Sequence, residues 1–479
     1  MYNIKTFILL SLSVFLGCTY PEKNIISVTR NGDPAQIDYY NEYSNPLCNH
    51  IWKLNRIWFD PEINQEEYTN HIKEVLKTNK NKIVIYIHGG LNFKFFAEKY
   101  PKKIKKRITD YHPVFIIWPS DFITTYSEHL FNNRQAITWP TFGCITFPFE
   151  LVADFGRGIS RTPSIWWHRI NFYLKAILCY DNCCLYPDEK NAHLVNEKLN
   201  NNIQFAEIPE LSDKRCLGRQ IADAIFGLFE LAVGLGTTPV VDSFGTASWD
   251  MMKRRTEIMF TKAMPLDSDY ENLTKYCELR QGAMKIFLDQ LKGRHELEIT
   301  LVAHSMGTIV ANKIIREWPS IKFSRIIYMG AACSIEDFSN SFKFYIEKNK
   351  KNQIKFYNYM LHPKAENLDS YFFGLFGTGS LLTQIDTYFE SPVLENQLTL
   401  GRWVNVMNGI NYFDDSIKNK MYLRVMPFDH NFPTKHSQFE NPEFSKTGKF
   451  WTGELGAKKL NDRPEGCCLF RFFSQHFLW

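Results

Sequence analysis

Apolar residues in this chain fall into short unbroken runs and longer periodic ones, and the two kinds alternate. Lys82 to Ile87 is a β-branched and apolar run that ends at His88-Gly89-Gly90. A strand buried on both faces reads this way, because neither face has to meet water. Val114 to Trp118, Glu298 to Ala303, Arg325 to Met329, Ile354 to Met360 and Tyr422 to Met426 repeat the pattern. Helical periods lie between them. Met284, Phe287, Leu288 and Leu291 recur at helical spacing ahead of Gly293, a residue that suits a helix end. Ile309, Val310, Ile314 and Ile315 form the apolar side of a helix over 308 to 318. Phe93 to Arg107 reads as another helix, capped by Asn92 and basic toward its end, as the macrodipole favours. Ser334 with Asp337 three residues on opens a further one by capping-box spacing. Strands alternating with helices predict an α/β fold: a mostly parallel sheet with right-handed crossovers and helices on both faces.

One interval breaks the rhythm. Residues 119 to 297 separate the second and third of these strands, and one crossover helix accounts for only the last part. The rest predicts a large inserted cap subdomain over 119–265, between a first core segment 18–118 and a second core segment 266–479 that carries a C-terminal extension. Ile221 to Val241 is the most apolar part of the insert. Asp223, Glu230, Pro239 and three glycines interrupt it, so a buried or lid helix fits better than a membrane span.

Composition narrows the class. Of 479 residues, 44% are hydrophobic and 22% charged, as in ordinary globular chains, which excludes pervasive disorder. The net charge of +5 is spread over the whole length, so no nucleic-acid partner is expected. Aromatic residues reach 15%, which suits a ring-rich core and apolar ligands. At the start, Lys5 precedes the apolar run Phe7 to Leu16, too short to span a bilayer and right for a signal-peptide core. Residues 1–17 therefore read as a signal peptide. Gly17-Cys18 at its end resembles a bacterial lipobox, which would put lipid on Cys18 and attach an exported protein to a membrane surface; a periplasmic or secreted form is the alternative. Setting Cys18 aside, the other cysteines are even in number and compatible with disulfides in an oxidising compartment. They show no zinc-type spacing, and no metal or cofactor is expected.

The candidate chemistry sits at a strand-to-helix turn. The strand Glu298 to Ala303 runs through His304-Ser305-Met306-Gly307 straight into a helix. A serine at so tight a corner needs small neighbours, here Ala303 and Gly307. Its hydroxyl projects at the carboxyl end of the sheet, beside a helix N-terminus that stabilises an oxyanion. A serine also needs a base. His436, in the polar loop after the last strand, is the first choice, and His430 competes with it. The base needs an orienting acid. Glu366 follows the strand ending at Met360 most closely, and Asp369 is the alternative acid. Gly89 and Gly90 let the backbone after the first strand turn its N–H groups toward a substrate oxygen.

With these residues in order, the chain resembles a serine hydrolase of the α/β-hydrolase superfamily, of the bacterial lipase and esterase kind. The resemblance covers roughly 80 to 118 and 270 to 445. Ala303 stands where the first glycine of the usual motif would be. It implies Ser305 as nucleophile, His436 as base, Glu366 (or Asp369) as acid, and an oxyanion hole at Gly89, Gly90, Leu91 and Met306, with donor N–H groups from Leu91 and Met306. Gly377 to Leu382 and Leu400 to Trp403 also look like fixed features of a bacterial branch and have no assigned role. The implied activity is cleavage of a small-molecule or lipid ester through an acyl-serine. The alternatives are acyl transfer by the same residues, or a non-catalytic binding protein that keeps the fold.

Overall fold

A computed structural model of the chain describes residues 24–35, 63–90, 97, 100–131, 133–134, 137–138, 143–178, 198–199, 203–205, 217–261, 264–265, 281–350, 353–369, 379–390, 392, 394–427, 432–440 and 449–454. In chain order the strands are β1 Ile25–Ser27, β2 Lys82–Ile87, β3 His112–Ile117, β4 Asn133–Arg134, β5 Ile137–Thr138, β6 Ile203–Phe205, β7 Met264–Pro265, β8 Glu298–His304, β9 Phe323–Met329, β10 Lys355–Met360 and β11 Met421–Val425. The helices used below are α1 Gln65–Leu76, α2 Tyr100–Lys105, α3 Phe122–Phe131, α4 Gly143–Leu178, α5 Leu217–Thr261, α6 Ala283–Leu291, α7 Gly307–Glu317, α8 Ile335–Lys348, α9 Pro363–Leu368, α10 Leu381–Gln384 and α11 Trp403–Gly409.

Eight strands form a parallel sheet in the order β1-β3-β2-β8-β9-β10-β11-β6, as the α/β pattern predicts. The six expected strands all form, with ends shifted by two residues or fewer. The flanking strands β1 and β6 escape sequence reading because three residues are too few to show a period. A second, three-stranded sheet joins β4, β5 and β7. Of the helix expected over 93–107, α2 is described; Asn92 and the first turns lie outside the described residues, as do the 1–17 segment and Cys18. The stretch 221–241 is helical within α5, and among the described residues no helix is long and apolar enough to cross a membrane.

The described residues divide into two compact units, one from 24–152, 247–328 and 337–356, the other from 153–246, 329–336 and 357–454. In the first, β2 lies between β3 and β8, with Ile85 opposite both Val114 and Leu301, and all three buried. Strands covered on both faces are apolar throughout for this reason. The Asn64 side chain accepts the Glu67 N–H at 2.8 Å and caps α1, which buries Tyr68 and Ile72. Arg255 of α5 is buried against Glu128 of α3 and donates to the Pro119 carbonyl at 3.0 Å.

In the second unit, Leu423 of β11 pairs with Ile203 of β6, and the Met426 N–H donates to the Met360 carbonyl at 2.9 Å. Arg161 of α4 pairs with Asp242 of α5 at 3.3 Å and donates to the Tyr388 carbonyl at 2.8 Å. Ile165, Val241 and Tyr388 form a small apolar core beside these bonds.

Candidate active site

Ser305 occupies the corner between β8 and α7, and its backbone is strained. It has φ +49°, and it is the one non-glycine residue with positive φ among the described residues. Left-handed backbone costs an L-residue with a Cβ about 1–2 kcal/mol, and such strain is retained mainly where function needs it. The neighbours explain why the corner needs small residues. A Cβ on Gly307 would lie 2.7 Å from the carbonyl oxygens of both Ile87 and His88. A Cβ on Gly89 would lie 2.8 Å from Ser305 Cβ and 2.6 Å from His304 Nδ1. The end of β2 is thus pressed against the serine corner. Topology adds a second indication. From β2 the chain winds outward through β3, and from β8 it winds the other way through β9, so the order reverses between β2 and β8. Open parallel sheets bind ligands at the carboxyl ends of the strands at such a reversal.

The turn after β2 is held by groups the sequence did not single out. The Trp118 N–H donates to His88 Nε2 at 3.2 Å. That nitrogen is therefore the unprotonated one, and Nδ1 carries the hydrogen, donated to the Gly89 carbonyl at 2.7 Å. Ser120 Oγ donates to the same carbonyl at 3.2 Å. A trans peptide whose oxygen is fixed this way turns its N–H, that of Gly90, in the opposite direction. Gly90 lies beside Met306: a Cβ on it would be 3.2 Å from Met306 Cβ. Met306 is the N-cap residue of α7, at the end of the helix where N–H groups lack intrahelical partners. Three of the four residues expected to form an oxyanion hole, Gly89, Gly90 and Met306, thus lie together. Leu91 lies outside the described residues.

In the second unit, Asp369 reaches His436. The backbone N–H of His436 donates to Asp369 Oδ2 at 2.8 Å, and both residues are buried. The imidazole rests on Gly330, where a Cβ would lie 2.9 Å from Cε1 and 3.0 Å from Nδ1. Gly330 has φ +52°, so glycine is required there by both space and backbone. Glu366, the acid closer in sequence to β10, is engaged elsewhere. Its Oε1 accepts from Ser380 Oγ at 2.5 Å and lies 3.3 Å from Arg402 Nε. Burial raises the pKa of this carboxyl, and the Arg402 charge opposes the rise. His430 lies outside the described residues.

Trp118, Ser120 and Gly330 therefore join the residues read from sequence. Trp118 and Ser120 follow β3 directly, as the glycine turn follows β2, and that parallel placement was the available signal. Among the described residues, no group of three or more His, Cys, Asp or Glu side chains is arranged to hold a metal ion. Compared with protein-family models, curated proteins and solved structures, the chain matches none of them.

Proposed function

We propose that this chain is a serine hydrolase that cleaves a carboxylic ester of a lipid or another bulky acyl group. In this reading the parallel sheet is an α/β-hydrolase sheet and 119–265 is its cap. One observation carries the proposal: among the described residues, Ser305 alone of the non-glycines has positive φ, and it does so at a strand–helix corner beside the topological reversal. Ser305 Oγ attacks the ester carbonyl carbon as His436 takes its proton. The negative charge that develops on the carbonyl oxygen is met by N–H groups of Met306 and Leu91 at the α7 N-terminus and the glycine turn. Collapse expels the alcohol, which leaves with the proton from His436. Water, deprotonated by the same imidazole, then releases the acid and restores Ser305. Asp369 keeps the imidazole oriented and stabilises its charged form. The hydrogen bond to His436 supports Asp369 over Glu366 in this role.

The second unit's part of α4 supports an apolar substrate. Ile159, Trp166 and Trp167 are exposed, while Asp154, Arg157 and Arg161 engage Asp242, Ser243 and one another inside the unit. Export through the 1–17 segment and lipid attachment at Cys18 belong to the same proposal, since a membrane-attached enzyme would meet such esters at a surface. A panel of aryl esters of increasing acyl length tests it. Turnover should rise from acetyl toward longer chains and vanish in Ser305→Ala; no turnover of any ester by the wild type would remove the reading. Ser305 is only 1% exposed, which also suits transfer of the acyl group to an alcohol instead of water. Product analysis with added alcohol separates the two.

A further inference from the structure

Two stretches are left without a role by ester hydrolysis, and both reach Glu366. From the first, Ser380 donates its hydroxyl to Glu366 Oε1 at 2.5 Å. From the second, Arg402 places Nε 3.3 Å from Glu366 Oε1 and Nη1 3.0 Å from Asp386 Oδ2. Asp386 is held in turn by the Thr399 N–H at 2.9 Å and by Asn405 Nδ2 at 2.8 Å. Glu366 and Arg402 are buried, and Asp386 is partly buried. Desolvating two carboxylates and a guanidinium is costly, and an apolar cluster of similar volume often serves stability as well or better. Fixed geometry is what such a network can supply in return.

The same stretches also grip the His436–Asp369 pair. The Gly379 N–H, one residue before Ser380, donates to the Asp369 carbonyl at 2.8 Å. Gly379 and Ser380 thus hold the main chain of Asp369 and the side chain of Glu366, one turn earlier on α9. On the other side, the Gly401 N–H donates to the Ala331 carbonyl at 2.8 Å. A Cβ on Gly401 would lie 2.6 Å from the Gly330 carbonyl carbon, so this backbone lies directly on the glycine that supports the His436 ring. Gly401 therefore backs the histidine's platform, and its neighbour Arg402 grips the helix that ends at the acid.

We propose that Ser380, Glu366, Arg402 and Asp386 are positioning residues, a buried clamp that fixes Asp369 against His436. This rests on the reading of those two as the base and acid of the proposed hydrolase. The clamp acts through alignment. Loosening it lets the Asp369 carboxylate drift from the histidine, which weakens the orientation of the base and its electrostatic support.

The test uses the full-length wild type, Ser380→Ala and Arg402→Lys. Two quantities are followed between about pH 5 and pH 9: the rate of covalent inactivation by a fluorophosphonate probe, and the titration of the His436 ring by NMR. The plateau rate should fall about tenfold in both variants. The histidine midpoint should move about half a unit toward acid, because the anion that favours its charged form is less well placed. A purely structural role would lower stability and leave the midpoint where it is. Folded variants with wild-type rate and midpoint would overturn the proposal. If the wild type is not labelled, the hydrolase reading fails by itself; the His436 titration then decides the clamp, and unchanged midpoints in both variants would overturn it too. If Arg402→Lys does not fold, Ser380→Ala, which removes a single hydroxyl, decides.

Discussion

The backbone N–H of His436 and the Oδ2 of Asp369 are joined by a 2.8 Å hydrogen bond between residues 67 apart in the chain. Glu366, three residues earlier, faces Ser380 and Arg402 instead. Asp369→Asn should therefore lower kcat for ester hydrolysis by about 10³–10⁴-fold, the scale seen when the acid of a serine triad is neutralised. Glu366→Gln keeps the side chain's length and an oxygen that accepts from Ser380, and should cost about tenfold. Steady-state kinetics on the two purified variants checks both. The reverse ranking would return the acid role to Glu366.

Gly330 should tolerate no side chain. A methyl group there would lie 2.9 Å from His436 Cε1 and would have to adopt φ +52°. Gly330→Ala should reduce turnover at least about a hundredfold through displacement of the ring. It should also cost about 1–2 kcal/mol of stability through backbone strain. Thermal unfolding and kcat on the same preparation separate the two effects. Full activity in the variant would show that the ring does not depend on this contact.

Strain at Ser305 makes an unusual prediction about stability. Alanine ordinarily stabilises a chain relative to glycine, because glycine leaves more freedom to the unfolded state. At φ +49° the preference should invert. Ser305→Gly should be more stable than Ser305→Ala by about 1 kcal/mol, with both inactive. Chemical denaturation of the two variants measures the difference. Alanine the more stable would mean that the corner relaxes out of the left-handed region.

Glu366 should leave a signature in the pH dependence of stability. Its folded pKa is raised, first by burial, with the Arg402 charge opposing. A carboxyl raised on folding contributes stability below its ordinary pKa, and that contribution is lost as pH rises through the folded value. The stability of wild type relative to Glu366→Gln should therefore be greatest at or below the ordinary glutamate pKa and decline as pH rises above it. Parallel denaturation curves across that range check it. A difference that grows with pH would mean that pairing with Arg402 outweighs burial.

How much of this was legible in the sequence follows from the range of the forces involved. Strands β2, β3 and β8 to β11 announced themselves, since a strand buried on both faces needs an unbroken apolar run, as in Ile83 to Ile87. The serine corner was legible because β8, a serine between small residues and α7 follow one another without a break in the sequence. Which carboxylate bonds to His436 was not. Residues 363–368 form α9, so Glu366 and Asp369 are one turn apart on neighbouring surface, and distance from the strand does not say which one meets His436. The partners that engage Glu366 come from positions 380 and 402, and no spacing rule links those to 366. Gly330 was equally hidden, because its need for glycine arises from a ring more than a hundred residues downstream.

Covalent labelling by a fluorophosphonate probe, followed by peptide mapping, tests the central claim most directly. The adduct should sit on Ser305 alone, be absent from Ser305→Ala, and form at least about a hundredfold more slowly in His436→Ala, since the serine then lacks its base. An adduct on another serine, such as Ser243 or Ser380, or labelling of Ser305 at an undiminished rate without His436, would contradict it.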